Sequence, residues 1–282
     1  MSAEQNAGET PLDRFRTALG CAKEQVSLAE CALLIAESEY PGLDRAGYRE
    51  RLNELGREAD SYCAKAGATE LDRLAELSRL FHARWGFRGN LENYYDPRNS
   101  FLNDVLDRRT GIPITLAVVY MEVGRRAGLH LTGVGMPGHF LLGCSSRSDI
   151  YVDAFSGGAL LTRAECAARL RELQPDLTFR PEFLDPVGPR EILARMLRNL
   201  LGIYLNGHSW AKALKTILWI QEVDVDSALL WRERGALHLR LKQPVQAAAA
   251  WEEYLRRSPE ANDAEEVREA IRGLAQLRHR LN

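Results

Sequence analysis

No run in this 282-residue chain approaches the roughly 20 apolar residues that cross a bilayer. Residues 1–10 are polar and read as a loose tail, without the apolar stretch of a secretory leader. Blocks of one charge are missing too. The 37 Lys+Arg and 39 Asp+Glu give a formal net charge of −2 and are spread along the chain. The electrostatic footprint of nucleic-acid binding is therefore absent, and neither nucleic acid nor membrane is expected as a partner. Cysteine is scarce, at five residues. Cys21, Cys31, Cys63, Cys144 and Cys166 are odd in number and contain no Cys-x-x-Cys pair, which argues against a disulfide framework or a zinc ribbon. Reduced, mostly buried thiols are expected. His82, His130 and His139 lack a ligand spacing such as His-x-x-x-His, so no metal is expected, and no cofactor either. What remains is a cytoplasmic globular protein with 45% hydrophobic residues, ample for a sizeable core in one large domain or two smaller ones.

From Pro11 to about Trp85 the pattern is helical. Thr10-Pro11 is a helix start, with proline at the first position. Leu28, Cys31, Ala32, Ile35 and Ala36 form one apolar stripe. Pro41-Gly42 breaks that helix, and Asp44 can cap the next. A third helix runs from about Glu70. Gly86 to Asn99 is loop by its turn chemistry, and Ser100 can cap a short helix after it. A central helix starts at Pro113 and closes at Gly128; its first half is apolar nearly all round. Strand-like runs at Leu129–Val134, His139–Gly143 and Asp149–Phe155 are separated by turn residues, as in adjacent antiparallel strands. A helix over Arg163–Leu173 closes this part. Beyond Pro181, Pro186 and Pro189 the chain is helical and repeats. Ala213 and Ala247 fall 34 positions apart, with Ile217 and Trp251 in the same phase and Pro259 at the exit of the second copy. That is the period of the tetratricopeptide repeat. The first copy is degenerate, with Val225 at the proline position. The final helix, about 263–281, reads as a cap.

The segment Gly111-Ile-Pro-Ile-Thr-Leu-Ala117 resembles the start of the buried helix in a transglutaminase-type Cys–His–Asp site. Such sites carry Gly-x-Cys-x-x-x-Ala, then a histidine on one strand and an aspartate on the next. Here Gly111 and Ala117 flank, and Pro113 stands at the thiol position. His139 and Asp153 complete the pattern. With Tyr95-Asp-Pro-Arg-Asn-Ser-Phe-Leu-Asn103, Gly135-Met-Pro-Gly-His-Phe140 and Val152-Asp-Ala-Phe-Ser-Gly-Gly158, the chain resembles the SirB-type bacterial proteins over roughly residues 25–275. Ala154 departs from the proline common there. The resemblance implies an α+β fold: a mainly helical transglutaminase-like core with a small antiparallel sheet (residues 11–180), then an all-α repeat segment (188–282). It implies no established reaction, since loss of the cysteine is general in that family.

The thiolate is the nucleophile in such chemistry, and proline cannot replace it. His139 and Asp153 are expected to pair as vestigial members of the triad; the plain alternative for His139 is a satisfied core histidine. No other nucleophile is well placed. Cys144 lies on the strand side of His139, facing the other way. Thr115 is about 200° around the helix from Pro113. Asp96, Arg98, Asn99, Asn103 and Thr115 are candidate cleft-lining residues, or else a loop-and-cap network of the kind Asp, Asn and Ser usually form. The expectation is a non-catalytic interaction protein binding a protein or peptide partner. The alternative is a hydrolase or transferase using His139 and Asp153 with an unusual nucleophile or an activated water.

Overall fold

The computed structural model describes residues 8–20, 26–67, 69–144 and 147–281. Most of the tail and Cys21 lie outside them. The chain divides into two compact units, Met1–Met196 and Leu197–Asn282.

The first unit opens with α1 (Pro11–Leu19), α2 (Leu28–Glu37), α3 (Arg45–Ala66) and α4 (Glu70–Arg79). Their starts follow local chemistry. Thr10 and Asp13 cap α1 reciprocally. Asp44 accepts from the Gly47 amide at 3.0 Å and opens α3. The helix after Glu70 does not simply run on: Leu80–Arg84 forms a π-turn, closed by Trp85 N donating to Leu80 O at 2.8 Å. A short strand β1 (Arg88–Gly89) then pairs in parallel with β2 (Thr110–Gly111). Between them lies α5 (Leu102–Arg108). Ser100 does not cap it. Ser100 closes the preceding 3-10 turn in a helical conformation (ψ −13°), so Phe101, with an extended backbone, takes the N-cap position.

Helix α6 (Pro113–Arg126) is central, as its composition predicts. Leu116, Val118, Val119 and Val123 are fully buried. Each such side chain contributes about 1.5–3 kcal/mol by burial. α6 packs on α3 and on the sheet strands β3 (Leu131–Val134) and β4 (Leu141–Cys144). Gly128, at φ +71°, makes the left-handed turn between helix and sheet. The sheet continues with β5 (Arg147–Asp153) and β6 (Ala159–Thr162), followed by α7 (Arg163–Leu173) and the short β7 (Pro186–Val187); its order is β6-β5-β4-β3-β7, antiparallel throughout. Three strands were expected. Ala159-Leu-Leu-Thr162 lacks alternation and β7 has only two residues, so neither shows a period of two.

The division between units falls within α8 (Pro189–Asn206). The second unit continues with α9 (Trp210–Val223), α10 (Ala228–Arg240), α11 (Pro244–Arg257) and α12 (Ala264–Leu281). Ala213 and Ala247, in phase by sequence, are both fully buried. At Gly235 an added Cβ would come within 2.3 Å of the Trp251 indole, so glycine lets α10 and α11 approach closely. The indole Nε1 donates to Arg232 O at 3.1 Å, which fixes the pair.

Candidate functional site

Two turns build the site. The first precedes β4, so His139 sits in a turn and not in a strand. His139 N donates to Met136 O at 3.1 Å, and Gly138 adopts φ +74°. The second follows β5. The Asp153 Oδ1 atom accepts from the Phe155 and Ser156 amides, each at 3.0 Å. Gly157 and Gly158, both at φ +72°, complete the reversal, and Gly158 N returns to Asp153 O at 2.9 Å. This explains the Asp-Ala-Phe-Ser-Gly-Gly sequence: a carboxylate to organise the turn and two residues free to go left-handed.

Leu142 faces Val152 across the β4–β5 ladder, which brings the two turns together. His139 Nε2 lies 2.9 Å from Asp153 Oδ2, and both side chains are buried. Burial raises the Asp153 pKa, but the His139 bond and charge and the Ser156 donors outweigh it, leaving the carboxyl below its ordinary value. An ionised Asp153 accepts from Nε2–H. The Nδ1 atom has no hydrogen-bond partner among the described residues. Asp153 has a second side-chain partner, and it is a cation. Arg169 Nη1, from α7, donates to Oδ2 at 3.2 Å and to Ser156 Oγ at 3.1 Å.

Phe155 stands edge-on to the imidazole, 6.1 Å between centroids. Tyr94 stands edge-on to Phe155 at 6.1 Å, and Tyr95 edge-on to Tyr94 at 5.4 Å. Gly89 makes room for Phe155: a Cβ there would meet the ring at 2.6 Å.

Pro113 is the first residue of α6, and it is buried. Thr115, at the third position, acts as the cap. Its hydroxyl donates to Asn99 O at 2.6 Å and accepts from Ile112 N at 3.2 Å. The polar cluster is largely a loop-and-cap network. Asp96 accepts from Arg98 N at 3.0 Å and pairs with the guanidiniums of Arg98 (2.7 Å) and Arg108 (3.7 Å). Asn99, fully buried, donates to Asn93 O at 2.7 Å and Tyr94 O at 3.2 Å. It thereby holds the loop carrying Tyr94 and Tyr95. Asn103 is buried, and its Oδ1 has no partner among the described residues. Of the candidate cleft residues, only Arg98 has a well-exposed side chain.

Three residues near the pair were not placed there by the sequence reading: Arg169, Arg195 and His82, the last weighed only as a metal ligand. Arg195 Nη2 donates to Met136 O (2.9 Å) and His139 O (2.6 Å). His82, in the π-turn, lies 2.8 Å through Nδ1 from Phe87 O, and its Nε2 is buried without a partner against Gly158. Burial lowers its pKa, opposed by the Phe87 bond and the Asp153 charge. No feature of the sequence marks the place of His82, and nothing local marks the two arginines. The four described cysteines form no disulfide and are buried. Cys144 lines a small apolar cavity with Glu70, Leu71, Leu74 and Ile150, none of them a site residue. Burial pushes the Cys166 thiol up to about 11.

A buried helix start followed by a paired histidine and aspartate on neighbouring turns has the chain order of a transglutaminase-like core. The profile of the Transglutaminase-like superfamily matches residues 46–198, and a tetratricopeptide-repeat profile matches residues 200–272. The chain belongs to the transglutaminase-like superfamily and, within it, to the UPF0162 proteins. It is 36% identical over 250 residues to a UPF0162 protein of Xylella fastidiosa, covering 87% of this chain and 89% of that one. It is 33% identical over 236 residues to UPF0162 protein PA3419 of Pseudomonas aeruginosa, covering 83% and 86%. Human F-box only protein 21 shares 33% identity over 139 residues, 46% of this chain and 21% of that protein. No solved structure matches. The expected family and fold class, transglutaminase-like core then repeats, are borne out. Among the described residues no helix is long and apolar enough to cross a membrane.

Proposed function

We propose that this is a non-catalytic interaction protein of the bacterial cytoplasm, holding a protein partner through its transglutaminase-like core, its repeats or both. The observation that carries this reading is Pro113 at the start of α6, where the superfamily's motif places the thiol. Proline has neither a nucleophilic atom nor an amide proton. The described thiols support the same reading: they are buried, and Cys63 and Cys166 are shifted towards the neutral form by burial. Repeat segments of this kind bind peptides along their stacked helices. Nucleic acid is not part of the reading, given the balanced charge.

The test is capture of partners from the native cytoplasm with the full chain, comparing wild type and His139→Ala. A discrete protein partner retained by wild type is the expected result. Absence of any partner, together with amidase turnover that vanishes in His139→Ala, sinks the proposal. The unpartnered Nδ1 of His139 favours the one alternative, a hydrolase in which this nitrogen takes a proton from water. An electrophilic cysteine probe separates the two further. Stoichiometric labelling of Cys144 in the folded protein, with His139-dependent turnover, would establish the enzyme.

A further inference from the structure

The turn that holds His139 carries a guanidinium that no carboxylate balances. Arg195 Nη2 is committed to the Met136 and His139 carbonyls. Its Nε and Nη1 have no partner among the described residues, and no Asp or Glu there lies within ion-pairing distance. Arg169, Arg98 and Arg108 each have a carboxylate: Arg169 pairs with Asp153 and Glu172, and Arg98 and Arg108 share Asp96. Arg195 is instead half-buried over the Phe140 ring, 5.5 Å from its centroid, with the Tyr94 phenol as its electrostatic neighbour. A half-buried cation without a counter-ion is a cost to folding that a ligand anion can offset.

Tyr94 belongs to a loop whose side chains are held out into water. Leu91 is 81% exposed and Tyr95 69% exposed, on a loop fixed from beneath by Asn99. Tyr95, Tyr94, Phe155 and His139 form an unbroken edge-to-face series. Its three ring-to-ring steps are 5.4, 6.1 and 6.1 Å. His139 is buried, so the accessible part runs from Tyr95 to Phe155 and matches about three to four extended residues at ~3.3 Å each. Its exposed end, at Leu91, Tyr94 and Tyr95, suits a chain better than a small molecule. An exposed apolar strip next to an unpaired charge has the character of an interaction surface.

We propose that Arg195 and this strip form a docking site for an extended peptide, with a peptide carboxylate on the Arg195 guanidinium and an apolar side chain against Leu91, Tyr94 and Tyr95. The charge argument selects the occupant: guanidinium and carboxylate are matched donors and acceptors. The site gives the partner-binding reading above a location and a ligand chemistry, and it rests on that reading.

The test uses the full chain and three pools of randomised nonapeptides, all free of Asp and Glu at the randomised positions. One pool has a free C-terminal carboxylate, one is amidated with a fixed central Glu, and one is amidated with Gln in its place. At least one carboxylate pool should be retained about tenfold over the Gln pool, or ~1.4 kcal/mol, and which one it is separates a chain terminus from an acidic side chain. Arg195→Met should abolish the preference. Tyr95→Ala should weaken retention severalfold with no change in melting, because Tyr95 is exposed. Raising salt from about 50 to about 500 mM should weaken it as well. Equal retention of the three pools overturns the proposal, as does an unchanged preference in folded Arg195→Met. Should Arg195→Met not fold, indifference to Tyr95→Ala or to salt overturns it. A protein partner captured by wild type and equally by folded variants at Arg195 and Tyr95 overturns this site and leaves the interaction function standing.

Discussion

Asp153→Asn changes one atom's chemistry in a buried network and leaves its shape. Asp153 Oδ1 serves two backbone amides, and an asparagine oxygen can keep both. Its NH2 group then replaces Oδ2 and confronts two donors, His139 Nε2 and Arg169 Nη1. The imidazole can respond by moving its proton to Nδ1, so that Nε2 accepts. Arg169 cannot respond in kind, but its side chain is 31% exposed and can turn to solvent, which discounts its share. Bonds to charged groups are worth about 1.5–3 kcal/mol each. The expected destabilisation is therefore about 2–4 kcal/mol, and at ~2–4 °C per kcal/mol the first unit should melt roughly 4–16 °C lower. The sign with pH follows from the depressed carboxyl value. The stabilisation is complete above the unfolded value of about 3.9 and is lost as pH falls through the lower folded value. The gap between wild type and variant should hold above about pH 4 and close below it. Thermal unfolding across pH gives the first quantity, and imidazole nitrogen shifts give the tautomer. A melting change within about 1 °C, with the proton still on Nε2, would refute the argument.

Thr115→Val keeps the volume and removes the hydroxyl that bridges Asn99 O and Ile112 N; a loss of about 1–3 kcal/mol in urea unfolding is expected, and none would show that water replaces the cap. Ala247→Phe inserts a ring at a fully buried contact in the repeats and should cost about 1–3 kcal/mol or more, read as a lower melting temperature of the second unit. Gly89→Ala drives a methyl into the Phe155 ring and should destabilise by about 1–3 kcal/mol while shifting the His139 ring resonances; unchanged resonances would contradict the packing described.

What the sequence made legible was local or carried by motif. Thr10, Asp44, Pro113 and Gly128 set helix ends through caps and backbone preference, and those rules act within a few residues. The 34-residue phase of Ala213 and Ala247 reads as repeat packing because identical neighbours demand identical small residues. The His139–Asp153 pairing followed from the resemblance. What was not legible acts at a distance. Arg169 reaches Asp153 from the following helix, and Arg195 reaches His139 from a segment that reads as part of the repeats. An arginine's long side chain leaves no periodic trace of where its head will settle. Ser100 was misassigned because a residue able to cap does so only in an extended conformation, and the preceding 3-10 turn denies it one.

The double engagement of Asp153 has a consequence for how such chains change over time. One carboxylate ties the turn before β4, the turn after β5 and helix α7 into a single knot. Deleting it exposes several unmet donors at once, whatever the protein does for its cell. A histidine–aspartate pair of this kind therefore has a structural reason to be kept, apart from any chemistry it could perform. In this chain the pair is a fastening of the architecture, and its presence alone says nothing about whether a reaction is run.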